Sequence, residues 1–173
     1  MSQSVEHNLL TASGIDKNRL SCLLEDVVSH QANFADLYFQ SSQHESWVLE
    51  DGIVKDGSYN IERGVGVRVI SGEKTGFAYS DEISSRALAD ACKAAKGIAP
   101  AGGIQRVDGF TAVNHKSLYT EKNPILSMQD SAKITLLQTV DRYIRKAAPH
   151  ATQVVVSLSG VYEEVLVAAT DGT

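Results

Sequence analysis

The chain has 173 residues, of which 43% are hydrophobic and 21% charged, and its formal net charge is −5. That length can bury a real core, and the composition is that of an ordinary globular protein rather than a disordered or fibrous one. The acidic balance argues against sequence-independent binding to a phosphate backbone, and no apolar run reaches membrane-span length, so neither nucleic acid nor membrane is an expected partner.

The N-terminus, Met1 to His7, lacks the basic start and apolar core of a secretory signal, and the cytoplasm is the expected compartment. A short helix is expected over Val5 to Ala12, ended by Ser13-Gly14. Asp16 then caps a second helix carrying Leu20, Leu23, Leu24, Val27 and Val28 at amphipathic spacing. Cys22 and Cys92 are far apart, sit in helical patterns and read as small core residues rather than a disulfide or redox pair.

Two strands are expected next, Ala35 to Ser41 and His44 to Glu50. Asp51-Gly52 is the strongest short hairpin signal in the chain and leads into Ile53-Val54-Lys55, and Asp56-Gly57-Ser58 reads as a further turn. Val65, Val67 and Val69 then alternate with Gly66, Arg68 and Ile70, and Thr75, Phe77 and Tyr79 alternate with Gly76, Ala78 and Ser80. This is the period-2 pattern of two strands, here antiparallel about a tight turn at Gly72-Glu73. That loop pairs Val69 with Gly76 and Val67 with Ala78 on one face, and sets Arg68 opposite Phe77 and Gly66 opposite Tyr79 on the other. A slip of one residue would exchange the faces. Glycines inside strands often mark close approach by another backbone, and Gly64, Gly66, Gly72 and Gly76, four in thirteen residues, suggest a surface against which something lies. Tight packing of a helix on the sheet explains the same glycines.

A helix from Ser84 to about Gly97 carries the small-residue face Ala87, Leu88, Ala91, Cys92 and Ala95. Pro100 to Gly103 looks like a linker, and 104–129 reads as irregular, which is long for one compact unit. A third helix is expected from Gln129 to Ala147, with Ile134, Leu137, Val140, Ile144 and Ala148 along one stripe. Thr152 to Ser159 and Val161 to Ala169 read as two strands joined at Ser159-Gly160. The last residues, Thr170 to Thr173, form a turn signal with no strand after it, as in part of a longer protein.

No catalytic or metal-ligating residue emerges from spacing. His44-Glu45 has no second His at helical spacing and lies on an expected strand, so it reads as a solvent-facing pair. Gly64-x-Gly66 precedes a strand and lacks the third glycine of a dinucleotide fingerprint, which leaves a nucleotide-binding domain as a weak rival. Ser157 to Gly160 has no nucleophile-elbow context. The acidic pairs Glu50-Asp51, Asp81-Glu82 and Glu163-Glu164 read as solvated turns and strand edges.

The run Leu37 to Ser42, then His44 to Asp51, Lys55 to Ile61, Gly64 to Arg68 and Ile70 to Tyr79, resembles the N-terminal region of the TldD/PmbA metallopeptidase family. Ser157 to Glu163 and Val167 to Thr173 resemble it again. The resemblance implies a cytosolic zinc metallopeptidase that cleaves unfolded peptides and works with a homologous TldE (PmbA) subunit. The family's zinc site is a His-Glu-x-x-x-His helix with a further Cys ligand in the C-terminal part. No residue of this chain matches it, so the resemblance implies no catalytic or metal residue here, and no zinc bound by this chain.

The expected fold is α/β (α+β), a mostly antiparallel sheet with helices mainly on one face, followed by the start of a second α/β subdomain. The expected division is an N-terminal family domain over 1–100, a connection over 101–127, and the beginning of a central domain over 128–173. The expected role is non-catalytic: Gly66, Arg68, Gly76 and Phe77 wall a substrate channel, with Arg68 holding a peptide carbonyl or carboxylate. A stand-alone interaction module without peptidase activity is the alternative.

Overall fold

The computed structural model describes residues 2–28, 32–98 and 122–172. In chain order the elements are α1 (Ser2–Leu9), a 3-10 turn (Thr11–Ser13), α2 (Lys17–Val28), β1 (Phe34–Glu50), β2 (Ile53–Ser71), β3 (Lys74–Ser80), α3 (Ser85–Ile98), a second 3-10 turn (Ile125–Ser127), α4 (Asp130–Ala147) and β4 (Val155–Ala169). The strands form an antiparallel sheet of order β3-β2-β1-β4. This is the expected α/β class.

The described residues fall into two compact units that do not follow chain order. The first lies within Met1–Ser41, Glu62–Tyr119 and Glu164–Thr173, and the second within Ser42–Ile61 and Thr120–Glu163. β1, β2 and β4 each contribute residues to both.

In the first unit, Asp16 Oδ1 accepts the Arg19 N–H at 2.7 Å and caps α2. The apolar spacing of α2 then buries Leu20, Leu23, Leu24, Val27 and Val28. Ser84 caps α3 in the same way, with its hydroxyl 3.2 Å from the Ala87 N–H. Leu88, Ala91, Cys92 and Ala95 of α3 join the core, where their small side chains let the helix pack closely on β3. Alternation puts Ala35, Leu37 and Phe39 of β1 and Val65, Val67 and Val69 of β2 into that same core. The N-terminal helix lies earlier than its sequence pattern suggested. It ends at Leu9, and a separate 3-10 turn closes on Gly14, whose φ of 69° is a left-handed cap.

The second unit joins α4 to the Ser42–Ile61 and 155–163 stretches of the strands. Its hairpin turn is Asp51-Gly52, with φ of 50° and 78°, the two positive angles of a type I′ turn. Asp51 and Val154 exchange two bonds: the Asp51 N–H donates to the Val154 carbonyl at 3.0 Å, and Oδ1 of Asp51 accepts the Val154 N–H at 3.0 Å.

Three expected breaks are absent. Ala35–Ser41 and His44–Glu50 are one strand, Asp56-Gly57-Ser58 lies inside β2, and Ser159-Gly160 lies inside β4. Gly57 and Gly160 do not have turn conformations. A Cβ at Gly57 would stand 3.0 Å from the Trp47 ring, so this glycine makes room for the indole, whereas one at Gly160 would meet Ile125 Cγ1 at an ordinary contact distance of 3.4 Å. Cys22 is exposed, which corrects its reading as a core residue; it lies on the solvent side of α2 beside buried Leu23 and Leu24, while Cys92 is buried. The expected linker at 100–103 and most of the irregular stretch after it lie outside the described residues.

Candidate functional site

The β2–β3 hairpin has the register that its alternation predicts. Val67 faces Ala78, Arg68 faces Phe77, Gly66 faces Tyr79, and Ser71 pairs with Lys74 around Gly72-Glu73. Gly72 has a φ of 58°, and its N–H donates to Asn33 Oδ1 at 2.6 Å.

This register divides the four candidate residues. Gly76 lies opposite Val69 and is buried on the core side. Gly66, Arg68 and Phe77 share the other face, with Tyr79 beside them. The Phe77 and Tyr79 rings stack with centroids 6.3 Å apart and planes 27° apart. Phe77 lies over Gly66, where an added Cβ would be 3.3 Å from its ring.

Arg68 Nε donates to Asp36 Oδ2 at 2.8 Å, and Nη2 reaches the same oxygen. The guanidinium carbon also stands 5.9 Å from the Phe34 ring centroid. Asp36 is almost enclosed, with its side chain 10% exposed, whereas the Arg68 side chain is 50% exposed. Tyr38, Val165 and Val167 are exposed apolar residues of the same unit, alternating with core residues on β1 and β4. The result is a partly aromatic surface that carries the half-exposed Arg68 guanidinium.

The second unit contains a cleft of about 550 Å3, lined in part by Glu45, Trp47, Tyr59, Met128, Asp130 and Lys133. Lys133 Nζ donates to Glu45 Oε2 at 2.6 Å, to the Ile125 carbonyl at 3.0 Å and to Asp130 Oδ1 at 3.3 Å. Burial works against the charged amine, but Glu45 and Asp130 outweigh it and raise its pKa above the ordinary value. The solvent-facing reading of His44-Glu45 therefore holds only for His44. Glu45 turns inward to the ammonium.

Glu164, expected at a solvated edge, is likewise buried, and its Oε1 accepts the Asn8 amide at 2.8 Å. The stripe on α4 needs the same correction: its buried residues are Lys133, Leu137 and Asp141, two of them charged. A search for apolar periodicity passes over them, although their i, i+4, i+8 spacing sets all three on one side of the helix.

Among the described residues, no three His, Cys, Asp or Glu side chains come close enough to hold a metal ion. His7, His44 and His150 are all exposed.

Two family models match the chain. PmbA/TldA metallopeptidase domain 1 covers residues 35–99, and the PmbA/TldA metallopeptidase central domain covers 123–173. The chain belongs to the PmbA/TldD metallopeptidase family.

Within this PmbA/TldD family, the chain is 49% identical over 176 residues to a metalloprotease TldD homolog of Haemophilus influenzae, covering 100% of this chain and 36% of the relative. The corresponding protein of Buchnera aphidicola subsp. Schizaphis graminum is 40% identical over 168 residues, covering 97% of this chain and 35% of the relative. The chain thus spans about a third of the length of the curated relatives it matches.

Solved structures share the fold at low identity. A Bacteroides thetaiotaomicron protein described as a candidate modulator of DNA gyrase aligns with a TM-score of 0.65 and 13% identity, over 90% of this chain and 37% of its own. TldE from Thermococcus kodakarensis aligns with a TM-score of 0.54 and 14% identity, over 87% of this chain and 34% of its own.

Proposed function

We propose that this chain is the non-catalytic, peptide-guiding portion of a TldD-type zinc metallopeptidase that acts on unfolded peptides in the cytoplasm beside a homologous TldE/PmbA subunit. The carrying observation is a pair of facts. Relatives named metalloprotease TldD homologs match the chain along its length, yet it spans only 36% and 35% of theirs. The reading therefore assigns zinc and the His-Glu-x-x-x-His helix to sequence outside this chain. It keeps the division into a first domain over 1–100, a connection over 101–127 and the start of a central domain over 128–173.

In this reading Gly66, Arg68 and Phe77 form part of the channel wall, and Gly76 contributes from beneath by letting the hairpin lie against the core. A half-exposed guanidinium already oriented by Asp36 is suited to a peptide carbonyl or carboxylate, because its fork is pre-aligned and bonds to a charged donor are strong. The test is Arg68→Ala in the longer protein that carries the metal motif. Peptide-cleavage kcat/KM should fall roughly tenfold, the size of one charge-assisted hydrogen bond, with Arg68→Lys intermediate. Unchanged cleavage by a folded Arg68→Ala enzyme would sink the proposal.

A further inference from the structure

The cleft in the second unit is independent of the Arg68 surface, and its lining has two properties that bear on a ligand. The first is charge. Its ionised side chains include the carboxylates of Glu45 and Asp130 and the single ammonium of Lys133. That ammonium is enclosed, 5% exposed, and its three hydrogens already meet three acceptors. Asp130, by contrast, is 68% exposed. The accessible charge of the cleft is therefore negative.

The second property is its wall. The Trp47 ring lies against Gly57, where any side chain would displace it, and Tyr59 and Met128 extend the apolar surface. Trp47 Nε1 is buried with no hydrogen-bond partner among the described residues. An indole N–H is only a donor, so what the wall lacks is an acceptor.

We infer that this cleft takes a basic side chain, Lys or Arg, of an extended peptide segment. The aliphatic stem lies on Trp47 and Met128, as long basic side chains do when they cover apolar surface. The cationic head pairs with Asp130, close enough to the aromatic rings for cation–π attraction to add to the carboxylate. A small tilt of the Trp47 ring gives Nε1 a peptide carbonyl as its acceptor.

Trp47 is the single tryptophan of the sequence, so its emission reports on this cleft alone. The experiment titrates the 173-residue chain with an acetylated, amidated alanine hexapeptide carrying one central lysine, and with the same peptide carrying glutamate or leucine instead. The lysine peptide should shift the emission saturably, and the glutamate peptide should not. Asp130→Asn should weaken the lysine peptide about three- to fivefold, as for one partly exposed ion pair, while Asp130→Glu retains binding.

Thermal melting of each variant distinguishes a lost site from a lost fold. Should Asp130→Asn fail to fold, the glutamate and leucine peptides on the parent chain decide the matter. No saturable response to the lysine peptide, equal binding of the leucine peptide, or full binding by a folded Asp130→Asn chain would each overturn the inference.

Discussion

Lys133 and Glu45 form an enclosed ion pair, 2.6 Å from Nζ to Oε2, with side chains 5% and 9% exposed. It ties the first turn of α4 to β1 within the second unit. Two charges held so far out of water stabilise little as a pair, but either one left alone is costly.

Lys133→Met should therefore lose about 3–5 kcal/mol, because the Glu45 carboxylate keeps its burial and loses its partner. Glu45→Leu combined with Lys133→Met should recover much of that loss. Urea unfolding followed by Trp47 emission measures both; additive single and double variants would show that the pair is not coupled.

The same unit should weaken in acid through Asp51. The Val154 N–H and then the Arg145 guanidinium hold its carboxyl below the ordinary aspartate value of 3.8. The unfolded chain thus takes up this proton first. Stability from Asp51 is complete above 3.8 and declines as pH falls from there through the lower folded value. Asp51→Asn should flatten the acid limb of a stability–pH curve; an unaltered limb would mean that other carboxylates set it.

The two cysteines should differ sharply in reactivity. Burial pushes the Cys92 thiol up to about 12, with the Asp26 charge adding to the effect, whereas Cys22 is exposed. The thiolate is the reactive form, so iodoacetamide at neutral pH should label Cys22 in the native chain and Cys92 only after unfolding. Mass spectrometry of the labelled peptides checks this, and equal labelling rates would contradict the placement of Cys92.

Glycine-to-alanine changes should have opposite signs at two positions in the first unit. At Gly64 a Cβ would come within 2.8 Å of the Ser80 carbonyl oxygen, a backbone atom that cannot move aside, so Gly64→Ala should cost about 1–3 kcal/mol. At Gly97, within α3, a Cβ meets nothing within 4 Å, and Gly97→Ala should gain about 0.5–1 kcal/mol from helix propensity. Thermal melting of the two variants tests the contrast.

Glycine also marks how far the fold could be read from sequence. At Gly52 and Gly72 the backbone takes a positive φ and the chain reverses, and there the hairpins and the β2–β3 register were legible. At Gly57 the same residue makes room for the Trp47 ring across the Asp51-Gly52 hairpin, and at Gly57 and Gly160 local pattern mistook strand positions for turns. The cleft was hidden for a related reason. Glu45 and Lys133 look like surface charges until strand and helix come together, whereas alternation put Gly66, Arg68 and Phe77 on one face once the Gly72-Glu73 turn set the register.

The sharing of β1, β2 and β4 between two units bears on how the chain is made. On a ribosome β1 emerges early, yet its neighbour β4 arrives only after the whole of α4, and contacts such as the Thr170 N–H donating to the Ala35 carbonyl at 3.0 Å close very long loops. Until then one flank of β1 stands open to any other strand, native or foreign. Such late, long-range closure slows folding and lengthens the time at risk of aggregation. A nascent chain stalled before Val155 would be a natural client for a chaperone.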